Sequence, residues 1–316
     1  MNRPINRIAI IGTGVIGASW AALFLAKGRK VAATDPAPGA EKALRHYVET
    51  AWPALEQLGL TPGASQSNLT FTTDLATCVA DADLVQENGP ERIDFKQNLY
   101  GQLDELLPPD VIIASSSSGL TMSSIQEGCK LHPERCVIGH PFNPPHLIPL
   151  VEIVGGSKTS EDTIERAAQF YTSIGKRTVR LHKELSGHVA NRLQAAVMRE
   201  VYYLVGEGVL SVADVDTALC WGPGLRWGIM GQVLLNHLGG GEGGMGHFLD
   251  QFTGPITAWW KALGSPELTP ELRQKLIDGV HAEVGSRSIQ ELAEERDRIL
   301  LGLLALRTGP GKSNPD

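Results

Sequence analysis

Up to Ser186, short apolar runs alternate with amphipathic stretches. Arg7-Ile8-Ala9-Ile10-Ile11 is apolar at every position after the first and rich in β-branched residues. That pattern predicts a strand covered on both faces in a parallel sheet. A turn of glycines follows, then Ala18 to Gly28, a run of helix formers closed by a glycine just past the helix end. The next apolar run, Val31-Ala32-Ala33-Thr34, stops at Asp35. Residues 40–60 predict a helix, with Tyr47, Ala51, Leu55 and Leu58 at helical spacing. Further strands are predicted at Leu69-Thr70-Phe71, Ala82 to Glu87, Val111 to Ala114, Cys136 to Gly139 and Leu150 to Val154, with a helix over Asp94 to Leu107. The alternation predicts an α/β fold, a Rossmann-type doubly wound sheet. After Ser186 the strand signals stop, and 186–205, 211–220, 270–284 and 288–306 predict helices. The expected organisation is a nucleotide-binding domain over 1–185 and an all-α domain over 186–316. Gly239 to Gly244 predicts a mobile loop, and Thr308 to Asp316 a frayed tail.

Composition narrows the function classes. The chain has 316 residues, 42% hydrophobic and 20% charged, which excludes a disordered chain and allows a core without staples. Its net charge of −7 argues against nucleic-acid and anionic-membrane partners, which need a basic surface. No apolar stretch is long enough to span a bilayer or to form a signal-peptide core. Cys78, Cys129, Cys136 and Cys220 form no C-x-x-C pair and predict reduced thiols in the cytoplasm. No metal site is expected.

Gly12-Thr13-Gly14-Val15-Ile16-Gly17 lies between a predicted strand and a predicted helix. In that setting Gly12 permits the tight turn, Gly14 lets backbone approach a pyrophosphate, and Gly17 lets helix pack on strand. The helix N-terminus then offers free N–H groups to phosphate. Asp35, ending the second strand, is expected to accept hydrogen bonds from the adenosine ribose. Its charge would repel a 2′-phosphate, so NAD is favoured over NADP.

Three polar groups stand at predicted strand ends: the serine run closing at Ser118, Gly139-His140-Pro141-Phe142-Asn143-Pro144-Pro145, and Glu152 inside Leu150-Val151-Glu152-Ile153-Val154. A carboxylate in an apolar run is costly to bury unless paired. A nearby histidine is its natural partner, and a His–Glu pair suits a general base.

These residues, with Glu91 and Lys96, Ser118-Gly119-Leu120 and Ser186-Gly187-His188-Val189-Ala190-Asn191-Arg192, resemble the L-3-hydroxyacyl-CoA dehydrogenase superfamily over nearly the whole chain. The resemblance implies NAD-dependent oxidation of a secondary alcohol. It makes His140 the general base, oriented by Glu152. Ser118 and Asn191 bond the reacting oxygen or its neighbours, and Glu91, Lys96, Ser118 and Asn143 line the cofactor's nicotinamide half. It also implies a homodimer through the helical domain.

The substrate is a separate question. An acyl-CoA needs basic residues for its phosphates, yet Pro36 to Thr73 holds only Lys42 and Arg45. The segment Trp221-Gly222-Pro223-Gly224-Leu225-Arg226-Trp227, and later Phe252, are similar to the L-carnitine dehydrogenase-like branch of the family. A quaternary ammonium is recognised over aromatic faces, for which Trp221, Trp227 and Phe252 are candidates. Arg192 or Arg226 suits a carboxylate. The expected substrate is a small hydroxy acid, L-carnitine first. A 3-hydroxyacyl-CoA, an L-gulonate-type acid, and a non-catalytic NAD-binding structural or regulatory role remain open.

Overall fold

The computed structural model describes residues 4–308. The tail expected to fray from Thr308 lies, past that residue, outside the described residues. Eight strands form one sheet: β1 (Arg7–Ile11), β2 (Lys30–Thr34), β3 (Leu69–Thr72), β4 (Leu84–Glu87), β5 (Ile112–Ser115), β6 (Cys136–Pro141), β7 (Leu150–Gly155) and β8 (Arg177–Leu181). Their order is β3-β2-β1-β4-β5-β6-β7-β8. All neighbours are parallel except β6 and β7. The helices of this half are α1 (Val15–Ala26), α2 (Ala40–Leu58), α3 (Leu75–Val79), α4 (Ile93–Leu106), α5 (Met122–Ile125) and α6 (Glu161–Ser173). The strand order reverses between β1 and β4, which opens a crevice at their carboxyl ends.

The unbroken apolar strands follow from two cores. Ile8 and Ile10 of β1 point into one buried cluster, with Trp20, Phe24 and Tyr171. Ala9 and Ile11 point into the other, with Tyr100, Leu103 and Ile113. Both faces of β1 are therefore dry, and no position along it after Arg7 is free to be polar. β8 was not predicted because Arg177-Thr178-Val179-Arg180-Leu181 is a mostly exposed edge strand with polar residues on it.

Helices continue as α7 (Ala190–Gly206), α8 (Val212–Trp221), α9 (Pro223–Trp227), α10 (Gln232–Gly239), α11 (Gly244–Ala262), α12 (Pro270–Val284) and α13 (Ile289–Thr308). The chain divides into two compact units. One runs to Asn191 and includes the chain from Ala293 on; the other runs from Arg192 to Leu292. The break falls inside α7, a few residues past the boundary expected after 185, because residues 188 to 190 are hydrogen-bonded into the first unit.

The second unit has a small core of Val205, Val212 and Val215, with Val201, Leu210 and Leu276 against it. The loop expected at Gly239 to Gly244 is instead a tight turn between α10 and α11, where Nδ1 of His247 lies 2.9 Å from the Gly240 carbonyl. α11 escaped the sequence pattern because Gly244, Gly246, Gly254 and Pro255 interrupt its run of helix formers.

Candidate active site

The glycine turn leaves β1 with Gly12 at φ +82°, a left-handed conformation that favours glycine. A Cβ on Gly17 would stand 1.9 Å from the Gly12 carbonyl oxygen, so helix and turn touch directly. A Cβ on Gly14 would meet nothing within 4 Å. That open space lies at the start of α1, whose N-cap is Gly14 and carries no side-chain cap. By contrast, the Ser160 hydroxyl caps α6 by accepting from Thr163 N–H. Uncapped amides, a positive dipole end and an open approach together fit a dinucleotide pyrophosphate. Val15, largely exposed, and Ile16 form the first turn of that helix. Asp35 sits one residue past β2, where its carboxylate accepts from the Thr13 amide at 2.8 Å and the Ala37 amide at 2.9 Å. The two bonds orient it beside the turn and leave lone pairs for ribose hydroxyls.

At β6 and β7 the antiparallel register sets His140 directly opposite Glu152. Nδ1 of His140 lies 2.8 Å from Oε2 of Glu152, and both side chains are buried. A nitrogen facing a carboxylate carries the proton, which leaves the Nε2 lone pair free. The Ser118 hydroxyl, at the exposed end past β5, lies 3.1 Å from that Nε2. The other Glu152 oxygen accepts from the Val189 and Ala190 amides at 2.8 and 3.0 Å. Burial pushes the Glu152 pKa up, but the bonds from His140, Ala190 and Val189 outweigh it and hold the carboxyl below its ordinary value. A fixed anion thus steadies the imidazole and would stabilise its protonated form, the arrangement of a general base.

Glu91 gathers the strand end beside the dyad. It accepts from the Ser117 hydroxyl at 2.7 Å and from the Gly119 and Leu120 amides. Burial acts to raise its pKa, yet these bonds and the Lys96 ammonium bring it below the ordinary value. Lys96, read from the sequence as a cofactor-lining residue, is 1% exposed. Its ammonium is bound by both Glu87 oxygens at 2.7 and 2.8 Å, with Glu91 at 3.8 Å. It braces the strand ends from behind. Glu87, not singled out from sequence, had a signal: a carboxylate ending the predicted strand that carries Leu84-Val85. Asn143 is exposed just after β6, and Asn191 is half-buried in the first turn of α7.

The sequence reading named His188 within its motif but gave it no role. It is 2% exposed, its Nε2 lies 2.9 Å from the Ser117 carbonyl, and its ring centre is 4.9 Å from that of His140.

The candidate substrate residues belong to the second unit. Trp221 is 77% exposed at the end of α8. Trp227, at the end of α9, donates its indole N–H to Gln232 at 2.5 Å. Arg226 is exposed on α9, Phe252 packs on Phe248 within α11, and Arg192 starts the unit. Among the described residues, no cluster of His, Cys, Asp or Glu is arranged to hold a metal ion, and no helix is long and apolar enough to cross a membrane.

A dinucleotide turn and a buried His–Glu pair at the carboxyl edge of one sheet define a nicotinamide-dependent alcohol dehydrogenase. Comparison with known proteins agrees. The NAD-binding domain model of 3-hydroxyacyl-CoA dehydrogenases matches residues 7–185, and the C-terminal domain model matches 187–275. The chain belongs to the 3-hydroxyacyl-CoA dehydrogenase family. It is 48% identical to an L-carnitine dehydrogenase of a Pseudomonas species, over 98% of this chain and 96% of that one. It is 47% identical to an L-carnitine dehydrogenase of Bacillus cereus, over 96% and 92%. Among solved structures, 5-formyl-3-hydroxy-2-methylpyridine 4-carboxylic acid 5-dehydrogenase, an NAD+-dependent dismutase, superposes with a TM-score of 0.83 at 31% identity, covering 97% of this chain and 99% of that one.

Proposed function

We propose that this protein oxidises the 3-hydroxyl of L-carnitine to the ketone of 3-dehydrocarnitine, with reduction of NAD. The observation that carries the chemistry is the hydrogen-bonded series Ser118–His140–Glu152 at the strand ends of the unit that holds the glycine turn. The near-full-length likeness to L-carnitine dehydrogenases supports the choice of substrate.

His140 Nε2 takes the hydroxyl proton. Glu152 holds the resulting imidazolium, and Ser118 and Asn191 position the oxygen. Bound NAD supplies the hydride acceptor. Gly12, Gly14, Val15, Ile16 and Gly17 hold its pyrophosphate and Asp35 its adenosine ribose. Glu91 and Asn143 flank the nicotinamide half, with Lys96 bracing Glu91. Trp221, Trp227 and Phe252 are assigned to the trimethylammonium group, which cannot donate hydrogen bonds and favours aromatic faces. Arg192 or Arg226 is assigned to the carboxylate.

The protein is further proposed to be a cytoplasmic homodimer joined through the helical unit. Four free thiols suit a reducing compartment. The apolar exposure of Ile229, Val233, Trp259 and Trp260 suits a surface covered by a second copy.

The test is NADH formation with L-carnitine, D-carnitine, L-gulonate and a 3-hydroxyacyl-CoA, each with NAD and with NADP. L-carnitine with NAD is expected to give the highest kcat/KM. Turnover of the acyl-CoA alone overturns the substrate assignment, and NAD binding without turnover of any of the four favours a binding protein.

A further inference from the structure

His188 is the one non-glycine residue among the described residues with positive φ, at +46°. Such a backbone is uncommon for a side chain of this size and persists where the surroundings enforce it. The ring is buried, and its Nδ1 has no hydrogen-bond partner. A site that needed only an aromatic plug would hold phenylalanine at less cost, since a buried, unpaired ring nitrogen is unfavourable. The polar ring is therefore retained for the one bond it makes.

That bond goes to the Ser117 carbonyl, at 2.9 Å from Nε2. A carbonyl only accepts, so Nε2 carries the hydrogen. Ser117 immediately precedes Ser118, whose hydroxyl meets His140. The two residues after His188 donate their amides to Glu152. One short segment thus grips both sides of the dyad. Its side chain holds the serine end, and its backbone holds the carboxylate end. The His188 ring also lies beside the His140 ring, 51° out of plane, and limits its tilt.

We propose that His188 is a positioning residue for the proton-transfer series: its Nε2–H, donated to the Ser117 carbonyl, fixes where the Ser118 hydroxyl stands relative to His140. The proposal rests on the dehydrogenase assignment above and adds to it a residue that touches neither substrate nor cofactor. Burial lowers the His188 pKa, and the Ser117 bond only partly opposes this, so the ring stays a neutral donor in the neutral range.

Three variants separate the donor from the ring. H188Q keeps an N–H at about the reach of Nε2, H188F keeps the ring and loses the donor, and H188N tolerates the left-handed backbone but falls short of Ser117. H188Q is expected to keep kcat within about threefold, whereas H188F and H188N lower kcat by about 10- to 100-fold, the scale seen for outer-shell partners that orient metal ligands. NAD affinity, measured by fluorescence, is expected to be unchanged in all three, which separates misplacement from misfolding. A kcat retained by H188F and lost in H188Q would mean that only the ring's shape matters, and overturns the proposal. Histidine 15N NMR of the wild-type protein and the same variants needs no substrate. His188 is expected as the Nε2–H tautomer, and the His140 signals are expected to change in H188F and H188N more than in H188Q. If the wild-type protein turns over none of the hydroxy acids, the assigned activity fails, and the NMR result still decides the role of His188. An Nδ1–H tautomer at His188 contradicts it.

Discussion

The turn after β1 and the dyad across β6 and β7 solve opposite problems at the same sheet edge. The turn offers backbone amides and space. Gly14 has no neighbour within 4 Å of its missing Cβ, and α1 has no capping side chain. The dyad offers side chains and leaves almost no space. His140 and Glu152 are buried, and both carboxylate oxygens are bonded. Additions should therefore damage the turn, and deletions should damage the dyad.

The most severe addition is Gly17→Ala. Its new methyl would fall 1.9 Å from the Gly12 carbonyl oxygen, so the turn must open or the helix must move. Loss of measurable NAD binding is expected, with destabilisation of about 3 kcal/mol in a urea titration, the upper range for overpacking. Unchanged NAD binding would show that this contact can relax. Next is a deletion, Glu152→Gln. It removes the charge that fixes the His140 tautomer, and a drop in kcat of about 10²-fold is expected with NAD affinity kept. It also changes the response to acid. The folded Glu152 carboxyl titrates below its ordinary 4.5, so its stabilisation is present above about that pH and is lost as the pH falls through the folded value. The urea midpoint of Glu152→Gln is expected to fall less steeply than that of the wild-type protein below pH 4.5.

Gly14→Ala sharpens the contrast within the turn. Its methyl enters open space, so thermal stability is expected to hold while NAD affinity falls about tenfold, as the close approach to pyrophosphate is blocked. Calorimetry and a melting curve on the same sample distinguish it from Gly17→Ala. The smallest effect expected is from Asp35→Asn. Removing the charge beside the ribose site relaxes the preference for NAD over NADP by about tenfold, seen as a ratio of kcat/KM values.

The two regions also differed in how far the sequence exposed them. The turn is local: strand, three glycines, helix, strand and acid lie within one stretch, each constrained by its neighbours. His140 and Glu152 were legible as a pair because a carboxylate in a dry strand needs a partner. That they face one another follows from an antiparallel register, which apolar periodicity does not encode. The Val189 and Ala190 amides left no mark in the sequence, since any residue other than proline supplies an N–H. The bracing of Lys96 was hidden for a related reason. Its partner Glu87 is held by backbone pairing at the end of β4, and only the fold shows that the ammonium meets it there. In the helical unit, glycine and proline hid α11, and the short helices α9 and α10 bury no residue and so gave little periodic signal.

The most direct test is rapid-mixing hydride transfer with saturating NAD and L-carnitine, comparing the wild-type protein with His140→Gln. The expected result is NADH formation in a single turnover by the wild type and a rate roughly 10²- to 10⁴-fold lower in the variant, with the NAD dissociation constant unchanged. Equal rates in the two proteins would contradict the assignment of His140 as the base.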